Sequence, residues 1–305
     1  MEQSNFYSYL RAFLVFLTLI VIIPYAIKLY ANKYEDAINQ IMETQVLMPI
    51  ASRNPEILDI PLCEFAIATS HNSYLNGFQH LTYSSTEGIK NSLEKGARAI
   101  ELDIGMINNN IWVYHGNSSI YTSSLLSVDD AFDTILEYGF KTSDPLLLFI
   151  EMHEVENVKL NKMLRNAIID KFGFRNRRYN AVMNEGETDP LRLFDTPIKF
   201  LLNQIMICGT ITNDQTLYDV FESDINFSNV SDTSIKSIRT NPKNKLYRIY
   251  QHGSIASVYS FNINASKFHN REYGIVAMNY QTSDKNMYEY IQLFKEYSFI
   301  PMAEL

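Results

Sequence analysis

Two acidic residues, Glu101 and Asp103, stand two apart at the end of the apolar run Ala97-Arg98-Ala99-Ile100-Glu101-Leu102-Asp103-Ile104. Such a run reads as a buried strand. A strand has a side-chain period of two, so both carboxylates point to the same side. Neighbouring carboxylates repel unless a cation lies between them. A solvated strand end would explain this pair alone, but it recurs with company. The next apolar stretch, Trp112-Val113-Tyr114, ends in His115; upstream, Phe65 to Ser70 ends in His71 and Asn72; downstream, Leu146 to Ile150 ends in Glu151. Several apolar strands thus deliver polar groups at their C-terminal ends, where a (β/α)8 barrel keeps its active site. Asn72, Glu101, Asp103 and Glu151 are all oxygen donors. That ligand set suits a hard cation, calcium or magnesium, and not zinc.

The intervening segments supply the elements such a barrel needs. Thr86 to Lys95 reads as a helix stopped by Gly96. Ser127 is placed to cap a helix over Val128 to Tyr138, with Asp129 and Asp130 in its first turn. A further helix is expected at about 157–172, closed by Gly173. Strands are expected at Ile205 to Cys208, Tyr247 to Tyr250 and Ile275 to Asn279. A helix over Asp284 to Tyr297 precedes Phe299 to Met302, read as the last edge of the barrel. Strands alternating with helices call for a parallel sheet with crossovers. Residues 211–245, rich in Asn, Asp, Ser and Thr, break this rhythm.

At 305 residues, the chain has room for one domain and a short appendage. A hydrophobic fraction of 46% is ample for a core, and a formal charge of −8 argues against nucleic acid as a partner. Two cysteines, Cys63 and Cys208, give no disulfide framework. Residues 12–27 carry no charge. With Tyr30 and Ala31 beyond Lys28, the span reaches about 20 residues, enough to cross a bilayer. Only Arg11 is basic ahead of it, and Leu29-Tyr30-Ala31 is a poor cleavage site, so an uncleaved N-terminal transmembrane helix over 1–31 is expected. Lys28 and Lys33 behind the span, against Arg11 before it, favour a cytoplasmic body on a single-pass membrane protein. Tyr34, Ile38, Ile41, Met42 and Gln45 fall at helical spacing, so 32–60 reads as a helical stalk and linker and 61–305 as the catalytic body.

Four segments, Ser70-His71-Asn72-Ser73-Tyr74-Leu75, Gly96-Ala97-Arg98-Ala99-Ile100-Glu101-Leu102-Asp103, Val113-Tyr114-His115-Gly116 and Phe149-Ile150-Glu151-Met152-His153, resemble the X half of the catalytic barrel of eukaryotic-type, calcium-dependent phosphoinositide-specific phospholipase C. Tyr247-Arg248-Ile249-Tyr250 and Gly274 to Thr282 resemble its Y half. The resemblance covers roughly 60–305, with the X half at about 61–210, a linker at about 211–245 and the Y half at about 246–305. It implies a somewhat distorted TIM-type barrel that cleaves phosphoinositide lipids at a membrane to diacylglycerol and inositol phosphate, through a cyclic phosphodiester. It further implies a monomer with Ca2+ held by Asn72, Glu101, Asp103 and Glu151. Glu101 or Glu151 would take the proton of the inositol 2-hydroxyl. His71 would bind the developing phosphoryl charge, and His115 would protonate the leaving oxygen. Arg248 would contact substrate phosphate, Tyr250 would pack on the ring, and His153 would give support.

The sequence also departs from the family pattern. Cys208 and Thr210 stand where the family carries two lysines for the ring phosphates, and Gln251-His252-Gly253-Ser254 replaces a proline-led turn. Headgroup recognition is therefore expected to shift towards fewer phosphates. Two other readings stay open: a barrel acting on glycerophosphodiesters, and a non-catalytic lipid- or partner-binding barrel. Arg248-Ile249-Tyr250 and Asn279-Tyr280-Gln281-Thr282 favour the phosphoinositide reading over the first. Retention of both histidines and all four ligands speaks against the second.

Overall fold

The structure is a computed structural model. It describes residues 2–77, 82–116, 123–178, 193–209, 215–222, 228–231, 247–251, 261–269 and 273–305. Among these, seven parallel strands form one sheet: β1 (Phe65–Ser70), β2 (Ala99–Ile107), β3 (Leu146–Met152), β4 (Ile205–Gly209), β5 (Ser228–Ser231), β6 (Tyr247–Tyr250) and β7 (Ile275–Met278). Their order is β4-β3-β2-β1-β7-β6-β5. The parallel α/β architecture expected from strand–helix alternation is present, and it is TIM-barrel-like. β5 falls in the stretch read as linker, which therefore supplies part of the barrel wall.

β1, β3, β4 and β7 are largely apolar without alternation because both faces are buried, as parallel sheets require. One face, with Ile67, Ala99, Leu147, Phe149, Met206, Cys208 and Ile275, fills the barrel interior. Ile50, Ile57, Leu62, Ile198 and Leu201, from turns over 50–64 and 198–201, belong to the same cluster and close its floor. The other face, with Ala68, Ile100, Leu148, Ile207 and Val276, packs under α3 (Thr86–Glu94), α4 (Val128–Gly139), α5 (Val158–Phe172) and α7 (Lys285–Leu293). The described residues also include the helices α1 (Glu2–Leu17), α2 (Ile23–Thr44) and the short α6 (Ser266–His269).

Local signals set most boundaries. Ser85, Asn157 and Asp284 cap α3, α5 and α7 through side-chain oxygens that accept N–H groups of the first turn. Ser127 sits at the N-cap of α4 in an extended conformation but makes no side-chain cap bond. The last helix is shorter than its sequence pattern, ending at Leu293. Phe299–Pro301 is not a further barrel edge: it pairs antiparallel with the start of β1, opposite Phe65 to Ile67.

The N-terminus corrects the largest expectation. Among the described residues, no helix is long and apolar enough to cross a membrane. A π-helical turn at Thr18–Ile22 divides the charge-free stretch. α1 spends its first half on Glu2, Gln3, Ser4, Asn5 and Ser8, and α2 soon meets Lys28, Lys33, Glu35 and Asp36. A transmembrane helix, and with it a single-pass membrane location, is not supported. Nor does the predicted stalk stand clear of the body. Ile38 is buried in the main core, Ile41 and Met42 pack against it, and the Tyr34 ring lies 6.3 Å from that of Tyr288 on α7.

Candidate active site

The pairing of β2 with β3 brings the acidic residues together. Asp103 lies opposite Glu151, the next-to-last residue of β3, and Glu101 lies opposite Phe149. Glu101, Asp103 and Glu151 each offer an oxygen within 4.8 Å of the others. Glu101 and Asp103 are buried, while the Glu151 side chain is 56% exposed at the rim.

Asn72 follows β1 in the left-handed region, φ 48°, which Asn tolerates better than most residues. That turn aims its N–H at Glu101 Oε2, 2.6 Å away. Ser73 Oγ accepts the Glu101 N–H at 3.0 Å, so the loop after β1 and the acidic strand are laced together. Tyr74 is fully buried, with its hydroxyl 2.5 Å from Asp103 Oδ2 and 3.3 Å from Asn72 Oδ1.

His71 is nearly buried, with Nε2 3.8 Å from Glu101 Oε2. Asn279 Oδ1, just past β7, accepts from its Nδ1 at 3.1 Å. Asn279 is itself fixed, because Asn262 Oδ1 accepts its N–H at 2.6 Å and Asn262 Nδ2 donates to its carbonyl at 3.2 Å. The Tyr250 ring lies 5.5 Å from the His71 ring.

Arg248 enters from β6 and is 1% exposed. Its Nη2 donates to Glu101 Oε1 at 3.1 Å and lies 3.6 Å from Glu151 Oε2. The guanidinium also sits 5.4 Å from the Phe149 ring and 5.9 Å from the Tyr250 ring. It thus binds the carboxylates directly, as a salt bridge inside the barrel. His115 reaches the rim through its backbone. Tyr114 N–H donates to the Asp103 carbonyl at 3.1 Å, and Ser123 Oγ accepts the His115 N–H at 2.8 Å. His153, expected as support, donates from Nε2 to the Tyr114 carbonyl at 3.0 Å. Gly105 makes room for this packing: a Cβ there would run into Tyr114 Oη and meet His153 Cδ2 at 2.8 Å.

The charges divide the acids. Burial works against ionising Glu101, but Arg248, His71 and the Asn72 N–H outweigh it and hold its carboxyl below the usual range. Burial, then repulsion from Glu101 and Glu151, pushes Asp103 well up. Glu151 is raised by burial and by Glu101. Burial lowers His71, against the pull of Glu101. Three carboxylates converge on one guanidinium, so when all are ionised their charge exceeds that of Arg248 and a cation between them relieves the repulsion. With only oxygen donors present, the residues fit a hard divalent ion.

Sequence reasoning quoted Tyr74 and Asn279 within motifs without giving them roles. A tyrosine two residues past Asn72, and an asparagine at the end of a barrel strand, were the available signals. Cys208 lies on β4 in the layer of Phe149, buried in the interior. Thr210, most of 211–245 and residues 252–254 lie outside the described residues.

Residues 58–202 match the family model described as "Phosphatidylinositol-specific phospholipase C, X domain". A stretch of 109 residues is 38% identical to human 1-phosphatidylinositol 4,5-bisphosphate phosphodiesterase delta-4, covering 33% of this chain and 14% of that protein. A Dictyostelium discoideum 1-phosphatidylinositol 4,5-bisphosphate phosphodiesterase is 33% identical over 115 residues, 37% of this chain and 14% of that one. The matched stretch thus spans about one seventh of these relatives. Among solved structures, PLC21 of L. pealei superposes with a TM-score of 0.68 at 20% identity, covering 84% of this chain and 39% of that one. The likeness to phosphoinositide-specific phospholipase C read from the X-half motifs is shown. Beyond residue 202, the superposition shows a shared fold alone.

Proposed function

We propose that this chain is a calcium-dependent phosphodiesterase of the phosphoinositide phospholipase C type, cleaving phosphatidylinositol lipids to diacylglycerol and inositol phosphate through a cyclic diester. The observation that supports it most is the triad Glu101, Asp103 and Glu151 at the barrel mouth, with His71 and Arg248 against it. Asn72, Glu101, Asp103 and Glu151 would hold the ion. When bound there, Ca2+ would offset phosphoryl charge and make the inositol 2-hydroxyl more acidic.

The chain's own residues supply the rest. Glu151 is the better general base, because it is at the rim with a raised proton affinity, whereas Glu101 is held ionised by Arg248 and His71. Asn279 fixes one proton on His71 Nδ1; burial favours the neutral ring, and an anionic diester beside Nε2 would draw the second proton that makes the ring a charged donor. His115, held by its backbone at the rim, protonates the leaving oxygen. Arg248 answers the substrate's phosphate charge, and Tyr250 offers the inositol ring an apolar face. Cys208 in place of a cation points to headgroups with few ring phosphates.

The test is headgroup release from phosphatidylinositol and its mono- and bisphosphates, with calcium and with chelator. Release that requires calcium is expected. Full activity in excess chelator would remove the metal assignment, and no release from any of the three would remove the activity.

A further inference from the structure

We propose that Tyr74 is a positioning residue that presents Asn72 and Asp103 together to the cation; this rests on the proposed function only through the identity of that cation. The geometry is specific. The Tyr74 ring is fully buried, yet its hydroxyl touches candidate ligands from two separate segments, Asp103 Oδ2 at 2.5 Å and Asn72 Oδ1 at 3.3 Å. Packing alone would be served by phenylalanine, since a buried hydroxyl must find a partner to repay its desolvation.

A hydroxyl has one proton and can satisfy one of these acceptors. The shorter contact takes it, so Tyr74 O–H donates to Asp103. The second contact becomes a hydrogen bond when the Asn72 amide is turned by half a revolution, so that Nδ2–H donates to Tyr74 Oη. This orientation leaves the Asn72 amide oxygen, the ligand type a hard cation takes, on the opposite side. The chain Asn72 N–H to Tyr74 O to Asp103 then runs in one direction, and each member orients the next. It also occupies one oxygen of Asp103, so that carboxylate offers the cation a single oxygen. Groups that orient metal ligands from behind commonly alter affinity by about 10- to 100-fold when removed.

The experiment is calcium binding to the full chain by isothermal titration calorimetry, without substrate. Tyr74→Phe should weaken binding by roughly 10- to 100-fold, with the melting temperature in chelator close to that of the parent. Should Tyr74→Phe fold poorly, Tyr74→Trp and Tyr74→Met serve as further hydroxyl-free fillers, compared at equal melting temperature. Asp103→Ala supplies the second arm. In that background, Tyr74→Phe should add little further loss, because the hydroxyl has lost its carboxylate acceptor. Parent-like calcium affinity in Tyr74→Phe, or losses that simply add across the two sites, would overturn the positioning role. A parent chain that does not bind calcium would overturn both this role and the metal in the proposed function. Binding of calcium without lipid hydrolysis would remove the activity alone.

Discussion

The His153 ring stacks on the Tyr114 ring at 4.5 Å, and its Nε2–H donates to the Tyr114 carbonyl. That carbonyl and the His115 N–H belong to one peptide unit, so His153 and Ser123 grip the two ends of a single plane. His153 carries no chemistry in this arrangement but sets where His115 stands. His153→Ala should lower kcat by roughly 10- to 100-fold with little change in KM, since small misplacements of a reacting group have such costs. A rise in KM alone would show that His153 shapes binding and not the position of His115.

His115 and His71 should separate by leaving group. His115→Ala and His71→Ala should each lose about 10²- to 10⁴-fold on the natural lipid. On a substrate whose leaving group needs little protonation, His115→Ala should recover much of its rate and His71→Ala little. Equal recovery would undo the division of labour between them.

Arg248 and Glu101 form a pair in which both side chains are 1% exposed. Breaking a buried pair leaves an uncompensated charge and commonly costs about 3–5 kcal/mol. Arg248→Met should therefore destabilise the fold by about that amount in chelator, as read by urea unfolding. Calcium should restore more stability to this variant than to the parent, because the ion would supply the missing positive charge. Equal calcium stabilisation of the two proteins would contradict the shared use of Glu101.

The buried Cys208 thiol feels Glu222 and Arg248: burial and Glu222 push its pKa well up, and Arg248 opposes them. A lysine here would bring a cation beside Arg248. A charge-assisted hydrogen bond contributes about 1.5–3 kcal/mol, or roughly tenfold or more in relative preference. The parent should prefer phosphatidylinositol over its 4,5-bisphosphate in matched micelles, and Cys208→Lys should move kcat/KM towards the bisphosphate. A parent that strongly prefers the bisphosphate would show that other cations hold the ring phosphates.

His269 on α6 is buried against Tyr290 and Phe294, ring centroids 6.5 and 6.2 Å away. Burial lowers its pKa from 6.5 to about 4. The unfolded chain therefore binds a proton at a pH where the folded one does not. The stability this gives is complete above pH 6.5 and is lost as pH falls towards 4. The shift corresponds to about 3 kcal/mol at 1.36 kcal/mol per unit. His269→Phe should flatten the loss of stability between pH 6.5 and 4, measured by urea unfolding across that range. An unchanged acid limb would assign it to other groups.

The acidic triad was legible because strand periodicity alone puts Glu101 and Asp103 on one side, and β3 repeats the pattern at Glu151. The Arg248–Glu101 contact was not, because it joins strands separated by 147 positions and depends on barrel curvature. Tyr74 was given no role because a buried hydroxyl and a buried ring look alike in a sequence. Residues 12–27 show a different limit. Hydropathy counts apolar residues but does not see the π turn at Thr18–Ile22 or the polar residues that share each helix. Phe299–Pro301 had the composition of a barrel strand, but composition does not give direction, and it runs antiparallel to β1.

That antiparallel clip governs the order of assembly. β1, the strand that delivers His71 and Asn72, is flanked by β7 on one side and joined at its start by Phe299–Pro301. β2 follows it closely, but its two other neighbours, β7 and Phe299–Pro301, are made more than 200 residues after it. On a ribosome, β1 emerges early with one apolar edge unpaired and must wait for almost the whole barrel to be synthesised. Contacts of such long range slow folding and prolong exposure to aggregation. The site that holds the acids and histidines is therefore among the last parts of the molecule to exist.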